Sequence, residues 1–247
     1  MVNNLENQFM KLKNIMLMVV MLGSFAFAKA QLSTFNTATK ELFQARVMNG
    51  KVDYAAIKKD SKTLNTALNA LMNIDLASLN ANERKALFIN AYNVFTIKGI
   101  VDAYPTASVM DINNFFDAKN YELGKKKVSL NELEKEMLFK EFSDARLHFV
   151  LVCGAVSCPP LQEKPFTAEN VEFLLKKQTK AAINNPAIVK LDMHEKKAIV
   201  SKIFDWYNAD FTKKQTLTAY INTYRENAIP DGFKVEYMDY DWSLNGK

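Results

Sequence analysis

The sequence predicts an α+β fold: a mostly helical single domain packed on a small antiparallel or mixed sheet. Three observations carry that reading. Within a run of helix formers from Asn82 to Ala103, the stretch Ala86 to Ile97 is apolar on nearly every side, which marks a central rather than a surface helix. Arg146 to Val152 is apolar on both faces after His148, as a central strand would be. Two short alternating stretches with polar tips read as hairpins.

Along the chain, Phe35, Leu42, Phe43 and Val47 recur at helical spacing from residue 33 until Asn49-Gly50 ends the run. Two short helices follow, Tyr54 to Lys59 and Ser61 to Met72, the second with Ser61 as its N-cap. The central helix stops before Pro105. Tyr121 to Val128 forms a hairpin turning at Gly124, and Ser129 with Glu132 makes a capping box that opens a helix to Lys140. After the Arg146 to Val152 strand, Thr167 caps a helix running to Ile183. Ile188 to Met193 and Ala198 to Ile203 form a second hairpin with His194 to Lys197 at its tip. Lys213 to Glu226 is a last helix and Phe233 to Tyr237 a last strand.

Residues 10 to 30 read as a secretory leader, with Lys11 and Lys13 ahead of an apolar run from Ile15 to Phe27 and the small residues of Ala28-Lys29-Ala30 at a cleavage site before Gln31. Met10 is the expected start, so that 1–30 is leader and 31–247 the globular domain. The apolar run falls short of the roughly 20 residues a membrane span needs. The expected destination is therefore the periplasm or the exterior, with no membrane association after cleavage. Removing the leader lowers the formal net charge from +5 to about +3, too weakly basic to argue for nucleic acid. With seven glycines in all, no nucleotide-binding loop is present. No cofactor and no metal site is expected.

Chemistry concentrates in residues 147 to 161, which hold both cysteines, Cys153 and Cys158, and one of two histidines, His148. Three states of the cysteines are open: a disulfide closing a short loop, worth about 2 kcal/mol; two partly buried thiols; or a reactive thiol. Asn90 and Asn93 lie three apart on one face of the central helix, where a buried amide must either anchor a neighbouring loop or line a polar cavity.

The segment His148-Phe-Val-Leu-Val-Cys-Gly-Ala-Val-Ser-Cys-Pro-Pro-Leu161 resembles the signature of the domain-of-unknown-function family 547. Asn90-Ala-Tyr-Asn93, Phe204-Asp-Trp-Tyr-Asn-Ala-Asp-Phe211 and Tyr240-Asp-Trp-Ser-Leu-Asn245 are similar to its other marks, so the resemblance spans Tyr54 to Asn245. It implies no settled activity.

A strand rises about 3.3 Å per residue, so His148 and Cys153 would stand roughly 16 Å apart on opposite faces and could not form a dyad. Cys158, beyond Gly154, is the better nucleophile, with His148 as base, Asn90 as orienting or oxyanion group, and Asn93, Cys153 and Ser157 lining the site. A helix bearing amides against a strand bearing histidine has the layout of papain- and transglutaminase-like hydrolases, although the similarity extends to layout only. Two functional readings stand. The preferred one is a non-catalytic envelope or secreted domain that binds a small molecule, a peptide, a glycan or an envelope protein. The alternative is a cysteine- or histidine-dependent hydrolase or transferase acting on an amide or peptide-like substrate. On either reading His148 is expected to be buried and neutral, and His194 exposed.

Overall fold

The computed structural model describes Met10, Lys13 and residues 29–247, so the leader lies, apart from Met10, Lys13, Lys29 and Ala30, outside the described residues. Residues 29–46 form α1, which buries Phe35, Leu42 and Phe43 as their spacing requires. Then come the hairpin β1 (Val47–Met48) and β2 (Lys51–Val52), α2 (Tyr54–Lys59) and α3 (Lys62–Met72). The centre is α4 (Ala81–Ala103), opened by a capping box between Asn80 and Glu83. Its residues from Ala86 to Ile97 are all buried, so the all-round apolarity does mark the helix around which the rest packs.

The hairpin β3 (Tyr121–Leu123) and β4 (Lys126–Val128) turns through Gly124 and Lys125, both at positive φ, the pairing a two-residue hairpin turn favours. The Ser129–Glu132 capping box forms in both directions. What it opens is not α-helical, however: Glu132–Phe139 is wound as a π-helix, continued by α5 (Lys140–Phe142). Beyond it, α6 (Val171–Ile183) starts one turn later than expected, with Asn170 rather than Thr167 at the N-cap position and no side-chain cap hydrogen bond from it. The mixed sheet holds β5 (Val189–Asp192) antiparallel to β6 (Lys197–Val200), with β7 (Lys234–Tyr237) parallel on the far side of β6. Between β6 and β7 lie α7 (Ile203–Trp206), α8 (Asn208–Thr212) and α9 (Leu217–Tyr224). His194 is exposed at the β5–β6 turn, its side chain 93% accessible.

One expectation fails instructively. Arg146 to Val152 is not a strand: Ala145–Phe149 is a 3₁₀ turn, followed by irregular chain. Its burial is as expected, because Leu147, Val150 and Val152 pack into the core around α4 while Phe149 packs with Phe204 and Phe211 under the mixed sheet. A neighbouring strand does not satisfy its backbone. Instead the Asn93 amide donates to the Val150 carbonyl at 3.0 Å and its Oδ1 accepts the Val152 N–H at 2.9 Å, doing the work of a ladder partner. Asn90 does the same for Phe166, donating to its carbonyl and accepting its N–H. The histidine-bearing strand that a papain-like layout needs is therefore missing.

The end of the chain closes over this region. Val156 N–H donates to Ser243 O, Asn245 N–H to Gly154 O, and Tyr54 Oη to Asn245 Oδ1 at 2.7 Å. Gly154 sits at φ +89°, a backbone conformation that favours glycine, and a Cβ there would press on the Ile100 side chain of α4 at 2.5 Å.

Candidate functional site

A pocket of about 230 Å³ opens where α4, the π-helical segment, the 148–159 segment, α7 and the C-terminal tail meet. Each element delivers a particular group. Tyr92 comes from α4, on the same turn as the two asparagines but turned to a different neighbour. Glu134 comes from the π-helical segment. Trp206 and Tyr207 end α7, and Tyr240 and Trp242 ride in on the tail that pairs with 154–157. Trp206, Tyr240 and Trp242 contact one another with ring centroids 4.7–5.6 Å apart, forming one aromatic wall.

His148 is 4% exposed, and its ring lies between Phe139, at 4.4 Å, and Tyr207, at 3.9 Å. Its Nε2 is 2.9 Å from Asp210 Oδ2. Burial pushes the imidazole pKa down to about 4 against the pull of Asp210, so at neutral pH this is a hydrogen bond from a neutral ring to a carboxylate and not an ion pair. An ionised carboxylate only accepts, so the proton is on Nε2. Burial raises the Asp210 carboxyl, but the hydrogen bonds from His148 and Lys213 outweigh it and hold that carboxyl below its ordinary range.

Glu134 is 6% exposed and accepts from Tyr207 Oη at 3.0 Å. Burial raises its pKa, opposed by Tyr207, Lys135 and Tyr92 and reinforced by Asp210. The other carboxylate of the pocket, Asp117, accepts from Asn131 Nδ2 at 2.6 Å.

Cys153 and Cys158 are joined in a disulfide, which resolves the three states left open above, and its sulfurs form part of the pocket wall. The Cys153 N–H donates to Cys158 Sγ at 3.1 Å, and the Tyr240 hydroxyl lies 3.2 Å from Cys158 Sγ and 3.4 Å from Cys153 Sγ. In this state neither sulfur is a thiolate.

Of the residues singled out from sequence, the structure brings His148, Cys153 and Cys158 to one pocket. The 16 Å separation expected of His148 and Cys153 rested on an extended strand. A 3₁₀ turn shortens the segment and lets both face the same space. Asn90 and Asn93 are spent on backbone pairing and do not line it. Ser157 stands on a neighbouring groove, its Oγ accepting from Asp241 N–H at 2.9 Å.

Sequence reasoning missed Glu134 and Asp210. Asp210 lies inside the Phe204–Phe211 block already noted for its resemblance, so a signal existed. Glu134 sits in Glu-Leu-Glu-Lys-Glu, which reads as a solvated helix face. Among the described residues no three His, Cys, Asp or Glu side chains cluster as metal ligands.

Residues 76–182 match the family model described as protein of unknown function, DUF547, which supports the resemblance to that family. The match includes the Asn90–Asn93 helix motif and the His148–Leu161 segment on which the resemblance was first noted. Compared with the curated proteins and with the solved structures, the chain finds no match.

Proposed function

We propose that this chain is an exported, non-catalytic binding domain of the periplasm or the exterior, which holds a small ligand in the pocket beside Glu134. The observation that carries the reading is the state of the groups that could do chemistry there. Both sulfurs are in a disulfide, and His148 is neutral and bonded to Asp210 through Nε2. No thiol is left for His148 to act on as a base. The leader-like sequence and a disulfide at the pocket wall both suit an oxidising compartment. At about 230 Å³ the pocket lies just below the roughly 300–1,000 Å³ of drug-sized sites, so it suits one compact group.

The alternative, a hydrolase or transferase acting on an amide or peptide-like substrate, draws support from the Asp210 hydrogen bond. That bond orients the His148 ring as a catalytic carboxylate would. It requires the disulfide to be opened first. The two readings separate on turnover: the purified protein, oxidised and reduced, is incubated with chromogenic amide and ester substrates. The binding reading expects no hydrolysis above buffer in either state. Turnover that His148→Ala or Cys158→Ser abolishes would overturn it.

A further inference from the structure

Resting on the reading of the pocket as a binding site, we propose that its ligand is an organic cation, an alkylammonium group such as choline or a lysine side chain carries. The pocket is lined by two carboxylates, Asp117 and Glu134, and by six aromatic side chains, with no lysine or arginine among its lining residues. That selection is made by a chain with 32 lysines and arginines and a net charge of +5, so the exclusion of cations is local. The face of an aromatic ring is the negative end of its quadrupole, and an ammonium over such faces gains about 0.5–2 kcal/mol per good contact. The wall of Trp206, Tyr240 and Trp242 supplies several faces around one space.

Glu134 is the second, independent observation. Buried glutamates are rare unless paired. Among the ion pairs of the described residues none involves Glu134 or Asp117. The groups that face Glu134 are Tyr92 from α4, Tyr207 at the end of α7, His148 beside Tyr207, Asp210 from α8, and exposed Lys135 on its own segment. None of them is a cation inside the pocket. A ligand ammonium would fill that role, because a nearby positive charge favours the ionised form of a carboxyl that burial disfavours. Affinity for a cation should therefore rise with pH, whereas affinity for a neutral ligand should not.

The chain has two tryptophans, and both line this pocket, so its intrinsic tryptophan fluorescence reports on this site. The purified protein is titrated at constant ionic strength with choline chloride, with N-acetyl-lysine amide, and with dimethylbutanol, the uncharged isostere of choline in which carbon replaces the quaternary nitrogen. The two cationic arms separate a quaternary headgroup from a primary amine. We expect a saturable response to at least one cation, about tenfold tighter than to the isostere. We also expect that preference to grow as pH rises, and Glu134→Gln to lose it while still binding the isostere. Equal affinity for choline and dimethylbutanol, or no saturable response to either cation, overturns the inference. A saturable response to the isostere alone would overturn the cation while leaving a binding pocket, whereas only turnover in the preceding assay overturns the binding reading itself.

Discussion

In the folded chain the His148 imidazole is enclosed by Phe139, Tyr207 and Phe211, and burial lowers its pKa from 6.5 to about 4. In the unfolded chain it titrates near 6.5. The folded state therefore binds fewer protons, and His148 contributes stability that is fully present above the unfolded value and lost as pH falls through the folded one. The difference between the two values corresponds to on the order of 3 kcal/mol in all, of which about 2 kcal/mol is gone by about pH 5. The perturbation is His148→Gln, which keeps a donor within reach of Asp210 but does not titrate. Urea unfolding of both proteins, followed by tryptophan fluorescence at several pH values from about 7 to about 4, yields the difference in stability. Glu134 acts with the opposite sign, since a raised folded pKa contributes stability below the unfolded value that is lost as pH rises. It is present in both proteins and cancels in the comparison. The wild type should lose about 2 kcal/mol relative to His148→Gln between about pH 7 and about pH 5. Parallel curves would mean that the ring is solvated, and the enclosed imidazole described here would be wrong. His194→Gln, at an exposed turn, should track the wild type throughout.

Two further outcomes test the frame around the pocket. Asn93→Leu conserves bulk but strips the partners from the buried Val150 carbonyl and Val152 N–H; at about 1–3 kcal/mol for each orphaned group, thermal unfolding should show a loss of roughly 2–6 kcal/mol, and an unchanged melting temperature would show that water replaces the amide. The protein should take no iodoacetamide before reduction and two labels after it, with a stability loss of about 2 kcal/mol on reduction, and labelling of the untreated protein would contradict the disulfide.

Much of the frame can be read from local pattern. The apolar spacing of α1, the all-round burial of α4, the Gly124 turn and the β5–β6 hairpin depend on neighbours in sequence, and each stands where periodicity and turn chemistry place it. The Arg146 to Val152 segment does not, because what decides its conformation is distant. Apolarity on both sides says only that it is buried; a strand also needs a ladder partner, and here the partner is a side-chain amide 57 residues away in sequence. The Ser129–Glu132 box announces a helix start correctly and says nothing of the winding that follows.

The site was partly legible for the same reason. Cysteine and histidine draw attention by rarity, and they do meet. A glutamate in a charged run draws none, since the same letters serve solvated faces everywhere, and the inward placement of Glu134 depends on the winding of its segment. π-Helical turns are uncommon and recur at functional sites. In this one Glu132 turns back to its cap, Glu136 stays exposed, and Glu134 between them is buried against Tyr207. A solvated face would place all three in water. Holding one of them in the interior is unfavourable for its charged form, and the chain arranges it in a pocket lined by aromatic rings and by no lysine, with exposed Lys135 only on the adjoining surface groove. A group that burial disfavours, kept at the edge of a cavity, gives a ligand something to gain, and at Glu134, which has only tyrosine hydroxyls and the exposed Lys135 to offset that burial, the organic cation proposed above would supply a positive charge.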